Sequence, residues 1–360
     1  MGIKRYKRVL AKHVGSERGP MLVCVGGMHG NETAGAEAIE LMGKMLDVEP
    51  ITNPQFAFSG LFLGIAGNLQ ALREGVRYIE RDLNRQWHDE QVERILRSRR
   101  KDLHAEEREI FDIIKTIRRE VRSYKPTHII VLDLHTTTAY GGIFTIASDD
   151  FRSIRIGVEL HVPVITGMLK GIQGTSLHYF NKNKLGADTT CIVFESGQHN
   201  EQLSVNRAIA GITNVMSIIG CINAEDVENQ HEQLLIEYAR QLPMVAEHVI
   251  THSIKPGDQF VMQPGYKNFQ PIERGEILAY DRHGAIQAPI DGLILMPLYQ
   301  KQGDDGFFIV REVLAHGEPL HLLQDHPQQG RPKPENNSPT VRGVTRPQPH
   351  NQNPIHDRSS

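Results

Sequence analysis

The chain has little of several features that mark particular classes of protein. It contains 3 cysteines and 1 tryptophan in 360 residues, and aromatic residues make up 6% of it. So few cysteines exclude a disulfide-rich scaffold, and Cys24 and Cys191 lie in apolar runs, so we expect reduced, buried thiols. The formal net charge of −3 lacks the basic excess that attracts nucleic acids or membrane surfaces. We therefore expect neither of these partners.

Long apolar runs are also absent. No stretch approaches the roughly 20 apolar residues of a membrane-spanning helix, and the basic start of the chain lacks the apolar core of a signal peptide. A cytoplasmic location is the resulting expectation. What remains is an ordinary globular composition, 39% hydrophobic and 23% charged, in a chain long enough for two domains.

The segment His29-Gly30-Asn31-Glu32 is the most informative part of the sequence. It follows the apolar run 21–25, and a helical pattern begins near Thr33. His29 and Glu32 therefore fall between a strand and a helix, at the carboxyl end of the strand. Ligands bind at this position in open α/β sheets.

Two later runs have the same form. Residues 127–132 are β-branched and apolar and lead into Asp133-Leu134-His135, and residues 189–194 lead into Glu195. Short continuous apolar runs are typical of strands buried on both faces of a parallel sheet. Three strands would thus bring His29, Glu32, His135 and Glu195 to one edge of one sheet.

These residue types suit a catalytic zinc site with one Zn²⁺ per subunit. Two imidazoles and one carboxylate, from His29, His135 and Glu32, leave an open position for water, although such a set also suits other first-row ions. Glu195, off the metal, would act as general base, and Asp133 is a candidate acceptor for the His135 imidazole. Each residue also has an ordinary interpretation: Glu32 at a helix N-terminus, or Glu195 in a local pair. Of the other histidines, His199 is the one expected at the pocket rim.

A basic segment, residues 77–85, follows a predicted strand that ends in Gly67-Asn68. It contains three arginines and an asparagine. Guanidinium groups bind carboxylates in bidentate fashion, so Arg85 with Asn84 suits an anionic ligand, and Arg77 suits the polarisation of a carbonyl group. The alternative is a solvated loop with internal ion pairs, which is our interpretation of Arg81 with Glu80.

Together the motifs HGNE, RYIERDLNR, DLHTTT and FESGQ resemble the succinylglutamate desuccinylase/aspartoacylase family. The resemblance runs in order across residues 21–200 and more loosely to about 320. It implies a zinc amidohydrolase of linear amides, with a carboxypeptidase-like α/β domain that has a mostly parallel mixed sheet flanked by helices. It also implies a small N-acyl amino acid as substrate and allows a homo-oligomer. Position by position, the resemblance implies zinc ligands at His29, Glu32 and His135, a general base at Glu195, carbonyl polarisation by Arg77, and carboxylate binding by Asn84 and Arg85.

The sequence departs from the family pattern in two places. Family members that hold aspartate use an arginine shortly before the general-base strand, whereas residues 181–188 here contain lysines and no arginine. A tyrosine contributed by the C-terminal domain is also hard to place, with Tyr299 the nearest candidate. The acyl group and the amino acid therefore stay open.

The pattern along the chain predicts four parts. Residues 1–222 form the catalytic α/β domain, in which 88–124 is a single crossover helix and 203–220 another helix. Residues 223–245 form a connecting helix. Residues 246–324, with short strand-like runs between turns, form a small β barrel or sandwich that caps the active site. Residues 325–360 are rich in proline and polar residues, and we expect disorder.

Two other functions remain open at this point. The same scaffold serves metallocarboxypeptidases, which cleave a C-terminal residue from a peptide, although a capping domain favours small substrates. A non-catalytic zinc protein that senses acidic metabolites is the third possibility, but a sensor does not need a base beside the metal.

Overall fold

The computed structural model describes residues 6–148, 150–180, 184–226 and 230–315. The predicted tail, 325–360, lies outside these residues. The strands are β1 (Val9–Val14), β2 (Glu17–Gly26), β3 (Ser59–Ala66), β4 (Ile129–Thr137), β5 (Phe144–Ala147), β6 (Val164–Thr166), β7 (Thr189–Gln198), β8 (Val245–Ser253), β9 (Val261–Met262), β10 (Gln270–Ile272), β11 (Ile277–Asp281), β12 (Gly284–Gln287), β13 (Gly292–Leu295) and β14 (Asp305–Leu314).

An eleven-stranded mixed sheet runs through the described part, in the order β1-β3-β2-β4-β7-β5-β6-β8-β14-β13-β10. Its centre, β3-β2-β4-β7, is parallel, whereas the antiparallel pairs include those with β1 and β5. The helices are α1 (Ala34–Thr52), α2 (Leu69–Glu74), α3 (Asp89–Arg97), α4 (Ala105–Tyr124), α5 (Phe151–Glu159), α6 (Met168–Gly171), α7 (Ser176–Tyr179), α8 (Leu203–Ile218) and α9 (Gln230–Ala239).

Helices cover both faces of the central strands, which explains why those strands are apolar throughout. Side chains alternate between the two faces of a strand. Along β4, Val131 belongs to a core cluster with Ile114 of α4, whereas Leu132 belongs to a cluster with Ile39 of α1. By the same alternation His135 points to the face that α4 covers. The predicted α/β fold with a mostly parallel mixed sheet is confirmed.

The central strands are longer than their apolar runs. The predicted strands 127–132 and 189–194 are present, but β4 and β7 continue to pair beyond them. His135 and Glu195 consequently lie within the strands rather than after them, and they are partners in the parallel register. The sheet itself therefore holds these two side chains next to each other.

The prediction of one crossover helix over 88–124 was wrong. The structure has α3 and α4, with a 3-10 turn, Arg100–Asp102, between them. Glu107 accepts a hydrogen bond from the backbone N–H of His104 at 3.2 Å, and this cap begins α4 as a separate helix.

The C-terminal part is all β, as predicted. β8 pairs in parallel with β6 and antiparallel with β14, so this part extends the main sheet. β9, β11 and β12 form a second, three-stranded sheet, and a third core cluster that includes Leu278 and Phe307 lies here. The domain boundaries at 222, 245 and 324 stay predictions. Within the described ranges, none of the helices has the length and apolar character required to cross a bilayer.

Candidate active site

The loop between β2 and α1 carries His29 and Glu32, and close packing holds it. A Cβ atom on Gly30 would lie 2.1 Å from the carbonyl carbon of Ala71, so the loop lies directly against α2. The N–H of Gly30 donates to the carbonyl of Arg77 at 3.1 Å. The loop therefore cannot shift toward α2. The side chains of His29 and Glu32 are both buried.

His29, Glu32 and His135 converge on one point. Nδ1 of His29 lies 2.8 Å from Oε1 of Glu32, and Nδ1 of His135 lies 3.0 Å from Oε2 of the same carboxylate. Their possible ligand atoms all lie within 4.8 Å of one another, and each residue is at most 4% exposed. Buried polar groups this close, drawn from two separate elements, match the ligand set expected from the sequence.

An aspartate lies beside each imidazole ring. Nε2 of His29 lies 3.1 Å from Oδ1 of Asp82, and Nε2 of His135 lies 3.3 Å from Oδ1 of Asp133. The contact of His29 with Asp82 is a hydrogen bond, whereas among the described residues Nε2 of His135 and Oδ1 of Asp133 have no hydrogen-bond partner. An N–H donated from Nε2 of His29 to Asp82 leaves the Nδ1 lone pair directed at the cluster, the arrangement usual for metal-binding histidines. The residues therefore fit a divalent metal ion, with two neutral imidazoles and one carboxylate as ligands.

Glu195 lies beside this cluster on β7. It is 6% exposed, and among the described residues its Oε2 atom has no hydrogen-bond partner. Burial raises the pKa of Glu195 to about 8; His135 and Arg77 act to lower that pKa. A buried carboxyl group with a free oxygen and a raised pKa is suited to accept and return a proton near neutral pH.

Arg77 also lies beside the cluster. Its guanidinium group pairs with Asp82 at 3.0 Å and lies 3.5 Å from Glu32. Burial acts to raise the pKa of Asp82, but His29 and Arg77 lower it more, so this pKa lies well below its usual range. Asp82 is thus ionised and holds Arg77 next to the candidate metal ligands.

Asn84 and Arg85 lie in a 3-10 turn after Asp82. The side-chain oxygen of Asn84 accepts from the N–H of Ser176 at 2.9 Å, so its amide NH₂ remains available as a donor. Arg85 donates to Asp305 at 2.6 Å, an ion pair with the start of β14. The sequence did not suggest this pairing.

One pocket is lined by all the predicted ligands and catalytic and substrate-binding residues. The C-terminal β part contributes a wall, which includes Leu298 and Asp305, and Asn31 reaches across to Gln300 at 2.9 Å. His199 also lines the pocket, as expected, and lies 2.7 Å from the Thr136 hydroxyl. The predicted site residues that line the pocket are His29, Glu32, Arg77, Asn84, Arg85, His135 and Glu195.

Three residues of the site, Asp82, Ser176 and Asp305, were not predicted from the sequence. Asp82 stands two positions before Asn84 in the basic segment, a local signal that was available. Ser176 and Asp305 are remote from the motifs and carry no local signal. The Tyr299 hydroxyl donates to the carbonyl of Gln263 at 2.9 Å, and Tyr299 is not among the residues that line the pocket.

Comparison with known proteins identifies the class. Residues 18–219 match the family model of the succinylglutamate desuccinylase/aspartoacylase catalytic domain. This match covers more than half of the 360 residues, and the chain belongs to that family. The resemblance inferred from the four motifs is therefore confirmed.

Individual relatives are more distant. A probable aspartoacylase from Nostoc sp. is 36% identical over 119 residues, which span 33% of this chain and 36% of that protein. A second probable aspartoacylase, from Acaryochloris marina, is 30% identical over 39% of its own length. The chain thus matches well under half of the length of these curated relatives.

The fold of the chain is similar to that of solved structures. A succinylglutamate desuccinylase/aspartoacylase from Rhodobacter sphaeroides superposes with a TM-score of 0.57 at 16% identity, covering 82% of this chain and 86% of that one. At this identity the likeness establishes the fold alone.

Proposed function

We propose that this protein is a zinc-dependent amidohydrolase that removes an acyl group from a small N-acyl amino acid. The observation that carries the proposal is the buried His29–Glu32–His135 cluster with the unpartnered carboxyl oxygen of Glu195 in the same pocket. Zn²⁺ held by those three side chains would act as a Lewis acid and would lower the pKa of a water molecule at its open position.

Glu195 moves the proton in this scheme. It takes a proton from the water whose oxygen adds to the amide carbonyl carbon. It then gives that proton to the nitrogen as the C–N bond breaks, so the products are a carboxylic acid and an amine. The positive charge of Zn²⁺ held by the neighbouring ligands would lower the pKa of Glu195 and so favour the ionised carboxylate that takes the proton.

The arginines and Asn84 position the substrate. Arg77, held by Asp82, lies beside the cluster, where its N–H groups would donate to the carbonyl oxygen as negative charge develops there. The free NH₂ of Asn84 would donate to the substrate carboxylate, and Arg85 would exchange Asp305 for that carboxylate. The capping wall from the C-terminal β part suits a small substrate.

Replacement of the proposed base tests this scheme. We expect Glu195→Gln to lower kcat by about 10²- to 10⁴-fold, because the amide cannot accept the proton. Bound zinc, measured by elemental analysis, should not change, since Glu195 is outside the ligand set. Glu120→Gln, which alters an ion pair with Lys12 remote from the pocket, is the control and should retain activity. Full activity of Glu195→Gln would overturn the assignment.

The two alternative functions make different predictions for the same preparation. A metallocarboxypeptidase would use Asn84 and Arg85 for a peptide C-terminus and would hydrolyse dipeptides faster than N-acetyl- or N-succinyl-amino acids. A sensor would bind such ligands tightly without turnover. Faster hydrolysis of N-acyl amino acids supports the deacylase.

A further inference from the structure

The pocket has an apolar side next to the catalytic groups. Val193 precedes Glu195 by two residues and shares its face of β7, and Ile146 is the antiparallel partner of Val193 on β5. Leu177 follows Ser176, the residue that fixes the Asn84 amide. This apolar side, made of Ile146, Met168, Ile172, Leu177, Val193 and Phe308, therefore adjoins both Glu195 and the proposed carboxylate site.

The position of the apolar side indicates which part of a bound substrate would contact it. If Asn84 and Arg85 hold the carboxylate of the amino acid and Glu195 protonates its nitrogen, the Cα atom lies between them. The side chain of that amino acid must then point to a neighbouring wall. Val193 and Leu177 border the two groups concerned, so the amino-acid side chain would enter the apolar side.

The charges of the described residues that line the pocket disfavour an acidic side chain there. Among the described residues that line it, the arginines are Arg77 and Arg85, and no lysine is present. Arg77 is already paired with Asp82, and Arg85 with Asp305. Asp304, which also lines the pocket, adds a further negative charge. A second substrate carboxylate would be buried against apolar atoms without a partner, which is costly.

We propose, on the basis of the deacylase function above, that the amino acid released by this protein has an aliphatic or thioether side chain, of the size of leucine or methionine. Aspartate and glutamate derivatives are disfavoured because the described residues that line the pocket offer no unpaired cation, and because Asp304 and Asp305 are acidic. The specificity resides in the apolar side, which half-buried Ile172 borders from the end of α6.

A substrate panel tests the proposal. The zinc-loaded enzyme would be assayed with leucine, methionine, aspartate and glutamate, each as N-acetyl and N-succinyl derivatives, so that amino acids are compared with the acyl group held constant. We expect kcat/KM to be roughly 10- to 200-fold higher for the apolar members of each series. Equal or faster hydrolysis of the acidic members would overturn the specificity and leave the deacylase function in place.

A substitution that adds a positive charge to the apolar side provides a second test. Ile172→Arg should shift the kcat/KM ratio of aspartate to leucine derivatives at least about tenfold toward aspartate, because a guanidinium then faces the side-chain subsite. Val205→Arg places the same residue at a half-buried position of α8, against the other core cluster, and should leave the ratio unchanged. An unchanged ratio in a folded Ile172→Arg protein would count against the apolar subsite.

A binding measurement separates this inference from the proposed function. If no derivative is hydrolysed, the deacylase proposal fails. Titration calorimetry of the zinc-loaded protein with free leucine and with free aspartate would still measure the preference of the side-chain subsite. Leucine binding at least about tenfold tighter supports it, whereas tighter binding of aspartate or equal affinity overturns it.

Discussion

At the scale of the residue, Asp82 contacts three groups of the candidate site at once. Its Oδ1 atom lies 3.1 Å from Nε2 of His29 and accepts from the N–H of Asn84 at 2.8 Å, and its Oδ2 atom pairs with Arg77. One carboxylate thus sets the orientation of a candidate metal ligand, the carbonyl-polarising arginine and the turn that carries the carboxylate site.

We expect Asp82→Asn to lower zinc affinity by about 10- to 100-fold, the usual effect of removing the carboxylate behind a ligating histidine. It should also lower kcat, since Arg77 loses its charged partner. Competition with a chromophoric chelator measures the affinity. Asp112→Asn, which breaks an exposed pair with Arg100, is the control. Unaltered zinc affinity in Asp82→Asn would contradict the role of Asp82 in orienting His29.

At the scale of the element, the contact between the β2–α1 loop and α2 places two ligands. Only glycine fits at position 30, because a methyl group there would overlap the backbone of Ala71. The ligands therefore depend on the packing of a helix that contributes no ligand itself.

Gly30→Ala should reduce the free energy of unfolding by about 1–3 kcal/mol through overpacking, and it should weaken zinc binding because the loop must shift. Urea denaturation and chelator competition measure the two effects. Gly75→Ala, at the end of α2, is the comparison. It has φ 65° but no atom within 4 Å of the added Cβ, so it should cost about 1–2 kcal/mol of strain without any loss of zinc affinity. Similar zinc affinities for both variants would contradict the proposed dependence on packing.

At the scale of the whole molecule, a bound metal would link the β2–α1 loop to the centre of the sheet. Glu32 contacts the imidazole of His29 on the loop and that of His135 on β4. Because folding brings these three side chains together, zinc would bind the folded state and not the unfolded chain, and it would therefore stabilise the fold. We expect the free energy of unfolding to rise with free zinc, by about 2.7 kcal/mol at 100 times the dissociation constant.

Urea denaturation in zinc and in chelator measures this linkage. Glu195→Gln should retain the dependence on zinc, because Glu195 is not a ligand. Glu32→Gln should lose most of it. A zinc dependence that survives in Glu32→Gln would mean that the ion binds elsewhere.

The sequence alone was sufficient for the fold class, the central strands and the types of residue at their ends. This is because burial on both faces requires continuous apolar runs, and the carboxyl ends of such strands carry the ligand-binding residues at one edge of the sheet. The break between α3 and α4 and the extra length of β4 and β7 were not predictable from the same patterns. The spacing of apolar residues does not reveal the helix cap at His104. It also does not reveal that strand pairing continues through the polar residues at the ends of β4 and β7.

Only the tertiary structure decided what surrounds those side chains. The pairing of Arg85 with Asp305 joins residues 220 positions apart, and the apolar side of the pocket draws on β5, β7, α6, α7 and β14. Such contacts depend on how separate elements pack, which local periodicity does not encode. Short motifs therefore predicted the residue types of the candidate site. The proposed specificity for the amino-acid part of the substrate, in contrast, depends on residues that only folding brings together.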